Sequence, residues 1–261
     1  MSRRTERRDR GSLRLRRRAY SLWGMRVLIS RIHLALVVSL VCGGFLILDS
    51  AVGVANQKPS ATQLLQTAFS NARARRSVHE NQLEIIKGKQ GTFSDDVSIR
   101  SGRQTIDTPI GVRAHVLVVG STAYISGNHK ALVSYFGFPQ AVAQRIGARW
   151  VKIPSSDSGY ATVAADATLP SALSEITPSG QLTELSPRML NGTAVIGIRG
   201  NLPSGFKGAG KDTIYLTRSA HPLPVSATFA GSGHLLTFTF RNWGEHVIAN
   251  PPAISIPVSQ L

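Results

Sequence analysis

Residues 1–55 constrain this chain most, because they combine a basic head, an uncharged apolar run and a stretch of small residues in that order. The head carries eleven arginines against two acids, Glu6 and Asp9, and the run extends from Leu34 to Leu48 without a charge. This order is typical of an export or membrane-anchoring signal whose basic side stays in the cytoplasm. We therefore expect residues 56–261 to fold as one domain outside the cytoplasm.

The apolar run has two interpretations, and the sequence leaves both open. Residues 32–55 are either a cleaved signal peptide or a transmembrane anchor, and residues 1–31 form the basic cytoplasmic head. As a helix, Leu34–Leu48 spans roughly 22 Å at about 1.5 Å per residue, short of the ~30 Å hydrocarbon core. This shortness favours cleavage before Asn56, whereas the long head favours an anchor. Met25 as the start of translation would give a signal peptide of ordinary length.

The charge of the chain is distributed unevenly. Of the net charge of +16, the head supplies +9, Asp49 supplies −1 and residues 56–261 supply +8. A basic head can bind nucleic acid, but cationic residues beside an apolar run are held by the anionic cytoplasmic leaflet. We therefore expect contact with a membrane surface and no nucleic-acid partner, and the oligomeric state stays unknown.

The single cysteine, Cys42, lies inside the apolar run. Residues 56–261 therefore have no disulfide, no thiol nucleophile and no cysteine metal ligand. Lipidation of Cys42 is disfavoured, because the chain stays apolar from Gly43 to Leu48 instead of turning polar.

The exported part opens with a predicted amphipathic helix over residues 61–76. Ser60 and Gln63 fit a capping box. Apolar residues recur at helical spacing, at Ala61, Leu64, Leu65, Ala68, Phe69 and Ala72. The arginines at the far end suit the negative end of the helix dipole, or alternatively contact anionic headgroups; they are Arg73, Arg75 and Arg76.

Short strands with period-two alternation follow, which indicates an antiparallel sheet with one buried face. The predicted strands are residues 78–87, 92–100, 103–108, 114–119, 123–125, 194–199, 213–218, 225–230 and 235–241. Between the two groups we predict helices at 130–138, 140–149 and 170–176, and we interpret residues 231–233 as a hairpin turn. The order predicts an α+β fold, in which one curved antiparallel sheet forms a half-open barrel with helices on its concave face.

Motifs for catalysis and metal binding are incomplete in this sequence. Residues 205–211 have phosphate-loop spacing, but Asp212 stands where a Ser or Thr would meet magnesium, and the loop leads into a strand. The seven histidines form no paired metal-binding spacing, and no Gly-x-Ser-x-Gly elbow is present. We predict no enzyme activity, no metal and no cofactor, while a hydrolase with a dispersed Ser–His–Asp site stays a third hypothesis.

Six short fragments stand out further along the chain: Ala123–Asn128, Arg149–Pro154, Thr213–Leu216, His221–Val225, Gly244–Glu245 and Pro251–Pro252. With the opening helix they resemble the LppX/LprG-type cell-envelope lipoproteins of actinobacteria, relatives in fold of the LolA-like carriers, over roughly residues 60–258. The resemblance implies a half-open β-barrel, plugged by helices, whose concave face holds the acyl chains of a lipid or glycolipid without catalysis. Cys42 departs from the family's pattern, because its setting does not suit a lipidation cysteine.

The apolar helix face and strands supply the predicted ligand-lining residues, although such stripes more often form a closed core. These residues are Leu64, Leu65, Phe69, Leu132, Phe136, Ile196, Ile198, Ile214, Leu216, Leu236, Phe238 and Phe240. The predicted function is an exported, membrane-associated lipid or glycolipid carrier of the cell envelope, outside the cell membrane or secreted after cleavage. The alternative is an extracytoplasmic sensor or protein-interaction module on the same fold, anchored by residues 32–55.

Overall fold

The computed structural model describes residues 58–261 apart from residue 166, residues 204–209 and residues 232–233. The predicted head and the signal or anchor segment lie outside the described residues, and so do most of the Gly-rich loop and the tip of the predicted hairpin. The domain boundary at residue 56 stays a prediction. Over the described ranges, no helix has both the length and the apolar character that a membrane crossing requires.

The described chain alternates two groups of strands with short helices. The helices are α1 (Ala61–Arg75), a π-helix (Ala131–Tyr135), α2 (Gln140–Ile146), α3 (Tyr160–Ala165), α4 (Leu169–Glu175) and a 3₁₀ turn (Val258–Gln260). The strands are β1 (Ser77–Ile86), β2 (Lys89–Ser98), β3 (Ser101–Asp107), β4 (Arg113–Val119), β5 (Thr122–Gly127), β6 (Trp150–Pro154), β7 (Ser179–Glu184), β8 (Arg188–Leu190), β9 (Thr193–Asn201), β10 (Lys211–Thr217), β11 (Pro224–Gly231), β12 (His234–Arg241) and β13 (Ser255–Pro257).

In the described part of the chain, the thirteen strands form one curved sheet that does not close. The strand order is β13-β6-β5-β4-β3-β2-β1-β12-β11-β10-β9-β7, and β8 continues the β7 edge along β9. Every pair is antiparallel except β13, which runs parallel to β6. The predicted fold class, a curved and half-open antiparallel sheet with helices, is therefore confirmed.

Helix α1 begins and ends as its sequence predicts. Gln63 N donates to Ser60 Oγ at 3.2 Å, and Ser60 N donates to Gln63 Oε1 at 2.8 Å, which completes the capping box. The helix ends at Arg76, whose φ of 68° is left-handed and whose N–H donates to the carbonyl of Arg73. The apolar stripe packs on the sheet, with Leu65, Ala68, Phe69 and Ala72 buried.

The nine predicted strands are all present, with ends shifted by a few residues. The helical insertion is shorter than predicted. The helix expected over 130–138 is a single π-helical turn, and α2 ends at Ile146 because Gly147 adopts a positive φ of 58°. Helix α3 and the strands β6, β7, β8 and β13 were not predicted. Three of these strands, β7, β8 and β13, lie at sheet edges and lack clean alternation.

The helices cover one face of the sheet, which we call the inner face. It is built from alternate residues of each strand, such as Val78 and Phe93, and it carries two apolar clusters. The other side, which we call the outer face, carries the intervening residues, such as His79 and Asp96. Helices α1 and α4 pack on the first cluster, and the π-helix, α2 and α3 pack on the second.

Candidate functional site

The first apolar cluster holds most of the predicted lining residues. Buried side chains of α1 and α4 meet those of strands β9 to β12, where three phenylalanine rings form a continuous row. The centroids of Phe229 and Phe238 are 5.0 Å apart, and those of Phe238 and Phe240 are 6.5 Å apart with nearly parallel planes. The predicted residues in this cluster are Leu65, Phe69, Ile196, Ile198, Ile214, Leu216, Leu236, Phe238 and Phe240, with Leu64 packed at its edge.

The second cluster holds the other two predicted residues. Leu132 is fully buried among side chains of strands β4 to β6, and Phe136 packs against the same group. Its ring meets Tyr135 edge-on at 5.1 Å. The structure therefore distributes the predicted lining set over two clusters instead of one, and contact of either cluster with a lipid stays a prediction.

A polar seam separates the two clusters on the inner face. We define the seam as Glu80 and Gln82 of β1, Asp95 of β2 and Gln104 of β3, each of which is at most 4% exposed. Glu80 pairs in register with Asp95, and Asp95 pairs with Gln104. Gln104 Nε2 donates to Asp95 Oδ2 at 3.2 Å. Two carboxyl groups and two amides thus lie side by side on the inner face, between the two apolar clusters.

The seam interrupts rows of apolar residues that cross the sheet. Along one row, Phe240 of β12 precedes Glu80, Asp95 and Gln104, and Val116 of β4 follows them. Phe240 belongs to the first cluster and Val116 belongs to the second. Along this row the apolar surface is interrupted over three strands, roughly 10 Å at about 4.8 Å per strand spacing, whereas in the neighbouring row Gln82 alone separates Phe238 of the first cluster from Phe93 of the second.

The chain between α3 and α4 links the two clusters and passes close to β3 at Gly102. Ala164 and Ala167 pack in the second cluster, whereas Leu169 and Leu173 pack in the first. The approach is close, because a Cβ placed on Gly102 would lie 2.2 Å from the carbonyl oxygen of Ala167. Gly102 is the inner-face neighbour of Gln104 along β3, so this contact lies beside the seam.

Sequence reasoning missed the seam, because β1 places its polar residues inward. Glu80, Gln82 and the half-buried Glu84 alternate with Leu83 and Ile85, and alternation alone suggests that the aliphatic pair is buried. The pairing with Phe240, Phe238 and Leu236 of β12 puts the polar set on the inner face instead. The register of β1 with its neighbours β12 and β2 is therefore needed to tell which face of β1 is buried.

Asp212 is a second buried polar group on the inner face. It lies at the start of β10, in register with Gly200 of β9 and Phe229 of β11, and it is fully buried. Neither of its carboxylate oxygens has a hydrogen-bond partner among the described residues. Burial raises the pKa of Asp212 to about 8, so the neutral form predominates at pH 7. This residue, which breaks the phosphate-loop motif in the sequence, contributes to the edge of the core.

The outer face carries a network of charged side chains. Asp96 lies between His79, whose Nδ1 is 2.6 Å from Asp96 Oδ1, and Arg103, whose Nε donates to Asp96 Oδ2. Burial raises the pKa of Asp96, but the hydrogen bonds from His79 and Arg103 outweigh burial and hold this pKa below its ordinary value. The remaining ring nitrogen of His79 lies 3.0 Å from Asn81 Nδ2. An amide thus occupies the position that a serine nucleophile takes in a hydrolase triad.

A cleft of about 280 Å³ lies outside both clusters, beside the C-terminal half of α1. Asn71, Arg75 and His221 line it together with Ala74 and Leu223, and Asn71 Nδ2 donates to the carbonyl of Pro222. None of the predicted lining residues borders this cleft. Within the described ranges, no group of three His, Cys, Asp or Glu side chains is arranged to hold a metal ion.

The fold is similar to several solved structures. LprF from Mycobacterium bovis matches with a TM-score of 0.48 and 17% identity, over 75% of this chain and 98% of that chain. LppX from Mycobacterium tuberculosis, a lipoprotein, matches with a TM-score of 0.46 and 16% identity, over 73% and 100%. An uncharacterized protein from Thermus thermophilus matches with a TM-score of 0.43 and 12% identity, over 77% and 99%.

No family model and no curated protein sequence matches this chain. The likeness to LprF and LppX is one of fold.

Proposed function

We propose that this chain is an exported, membrane-associated carrier that binds the acyl chains of a lipid or glycolipid on its inner face, without catalysing a reaction. One observation carries the proposal: the apolar clusters of an unclosed sheet are covered by separate helices, not by a second sheet. A sheet that does not close leaves a way into its interior.

The covering helices are suited to displacement. Helices α2, α3 and α4 have six or seven residues each, and helices this short are marginal in water without tertiary packing. Their apolar contacts with the sheet hold them in place. An acyl chain that replaces those contacts gains about 0.8 kcal/mol per buried CH₂ group. Exchange of helix contacts for lipid contacts would therefore open the inner face at low net cost.

The charge of the exported part favours an anionic membrane surface. Residues 56–261 carry +8, and Arg73, Arg75 and Arg76 are exposed at the end of α1. A basic side chain near an anionic leaflet contributes about 1 kcal/mol. This attraction would bring the inner face close to its source of lipid, on the extracytoplasmic side of the membrane.

Organic extraction of the purified full chain, followed by mass spectrometry, tests the proposal. We expect co-purified lipid, and a rise in melting temperature when lipid is added to extracted protein. Ala172→Phe on α4 enlarges a side chain that faces the first cluster and should reduce the lipid recovered per protein. Ala74→Phe makes the same change on the exposed side of α1 and should leave recovery unchanged. Protein that is repeatedly empty, with no melting shift, would refute lipid binding.

A second candidate function, an extracytoplasmic interaction module or sensor, is favoured by the close packing of the predicted lining residues. Nine of them are at most 8% exposed in the first cluster, as in an ordinary core. This candidate needs the anchor at residues 32–55 to be retained. N-terminal sequencing of the mature protein decides this point, because a first residue at Asn56 excludes the anchored form.

A further inference from the structure

The polar seam lies between two apolar clusters, in the place where the middle of a long ligand would lie. Gln82 of β1 lies between Phe238 of the first cluster and Phe93 of the second, and Glu80, Asp95 and Gln104 lie side by side in the neighbouring row. A purely hydrocarbon ligand would leave Gln82 Oε1, which has no hydrogen-bond partner among the described residues, against CH₂ groups, which is unfavourable. The seam therefore suits a ligand that is apolar at both ends and polar at its centre.

The seam offers acceptors to such a ligand. The inner-face positions of β1, β2 and β3 carry two buried carboxyl groups and two buried amides, and their one basic side chain, Lys89, lies exposed at the start of β2, six residues from Asp95. Gln82 is 2% exposed, and its Oε1 has no hydrogen-bond partner in the part of the chain that the structure describes. Gln82 lies between Glu80 and Glu84 on the inner side of β1, in register with Phe238 on one side and Phe93 on the other. An unpartnered buried oxygen at this point calls for a donor.

Electrostatics excludes one common lipid centre. A phosphate brings its own negative charge to the seam, where no cationic side chain lies on the inner face beside Glu80 and Asp95, and burial of an unpaired charge is costly. An uncharged hydroxyl group donates a hydrogen bond without this penalty, and it can reach either an amide or a carboxylate oxygen.

We propose that the seam is a polar subsite that accepts the hydroxyl-bearing, uncharged centre of a two-armed lipid, with one arm on each apolar cluster. This inference rests on the lipid-binding function proposed above. It adds a ligand class, because it selects neutral lipids with a central donor over phosphate-centred lipids and over lipids without a donor.

Three probes with the same two arms test the subsite: 1,3-dioctanoylglycerol, its 2-acetyl ester and its 2-phosphate. The full chain in detergent is incubated with an equimolar mixture, and native mass spectrometry measures the bound species, which differ in mass. We expect the free alcohol to exceed the acetyl ester about fivefold, the effect of one neutral hydrogen bond of about 1 kcal/mol. The phosphate should bind least.

Substitution of the unpartnered amide gives the decisive comparison. Gln82→Leu and Gln82→Met remove the acceptor but keep the volume, and both should reduce the preference for the alcohol over the acetyl ester to near unity. Asn81→Leu, the neighbouring amide on the outer face, should retain the fivefold preference. Circular dichroism verifies that each variant is folded, and two Gln82 variants guard against misfolding of one.

The outcomes separate this inference from the proposed function. Equal binding of the alcohol and the ester to the wild type, or an unchanged preference in both Gln82 variants, overturns the subsite but leaves lipid binding intact. Preferential binding of the phosphate also overturns it. If none of the three probes binds, the proposed function and the subsite fall together.

Discussion

Replacement of Asp212 by asparagine should stabilise this protein, and more so as the pH rises. Asp212 is fully buried, neither of its carboxyl oxygens has a hydrogen-bond partner among the described residues, and its pKa is raised from 3.8 to about 8. The folded state therefore keeps a proton that the unfolded state releases above pH 3.8. Because the folded pKa is higher, stability is greatest below 3.8 and declines as the pH rises toward 8.

The magnitude follows from the size of the shift. One pKa unit corresponds to about 1.36 kcal/mol, and pH 7 lies about three units above the ordinary pKa. Ionisation of Asp212 in the unfolded state thus removes about 4 kcal/mol of folding stability at pH 7 and about 1 kcal/mol at pH 4.5. Asparagine has a similar shape and does not ionise, so Asp212→Asn should recover about these amounts.

Equilibrium urea unfolding of the full chain, monitored by far-UV circular dichroism at both pH values, measures the two differences. Asp107→Asn, which makes the same substitution at an exposed position at the end of β3, is the matched control and should change stability little at either pH. A stability gain that is the same at pH 4.5 and pH 7, or a loss at pH 7, would show that the Asp212 carboxyl is not held neutral by burial.

Three further substitutions test local features by the same unfolding measurement. Ser60→Ala removes the N-cap of α1 and should cost about 1 kcal/mol, whereas Ser60→Asp, which can cap, should cost less. Gly102→Ala places a Cβ against the backbone of Ala167 and should cost about 1–3 kcal/mol; a neutral effect would mean that the α3–α4 segment does not pass close to β3 at this residue. Asp96→Asn should destabilise by on the order of 1 kcal/mol near neutral pH. Because the folded pKa of Asp96 is lowered, this loss should disappear as the pH falls from 4 toward 2.

The fold could be predicted because its signals are local. A capping box at Ser60 and an apolar stripe fix α1, and period-two alternation fixes the strands on both sides of the helical insertion. The edge strands β7, β8 and β13 could not be found in this way. They are short and partly exposed, and β13 depends on a parallel partner, β6, that lies about 100 residues earlier in the chain.

The candidate site was only half predictable, because alternation defines two faces of a strand without saying which one is buried. In β10 and β12 the aliphatic or aromatic face is the obvious inner face, and Ile214, Leu216 and Phe238 lie there as the sequence suggests. In β1 the two faces are balanced, with Leu83 and Ile85 on one and Val78 and Ile86 on the other. The pairing with β12 decides between them, and pairing is a long-range property.

The inward polarity of β1 is informative because a one-residue shift in register would remove it. Shifting β1 by one residue would bury Leu83 and Ile85 in place of Glu80 and Gln82, and it would also turn Val78 and Ile86 outward. The observed register instead buries Gln82, whose Oε1 has no hydrogen-bond partner among the described residues, and burial of such an oxygen is costly. The proposed hydroxyl group at the seam would offset this cost, whereas packing alone would not. The preference of the Gln82 variants for the central hydroxyl is therefore the measurement that separates these two explanations.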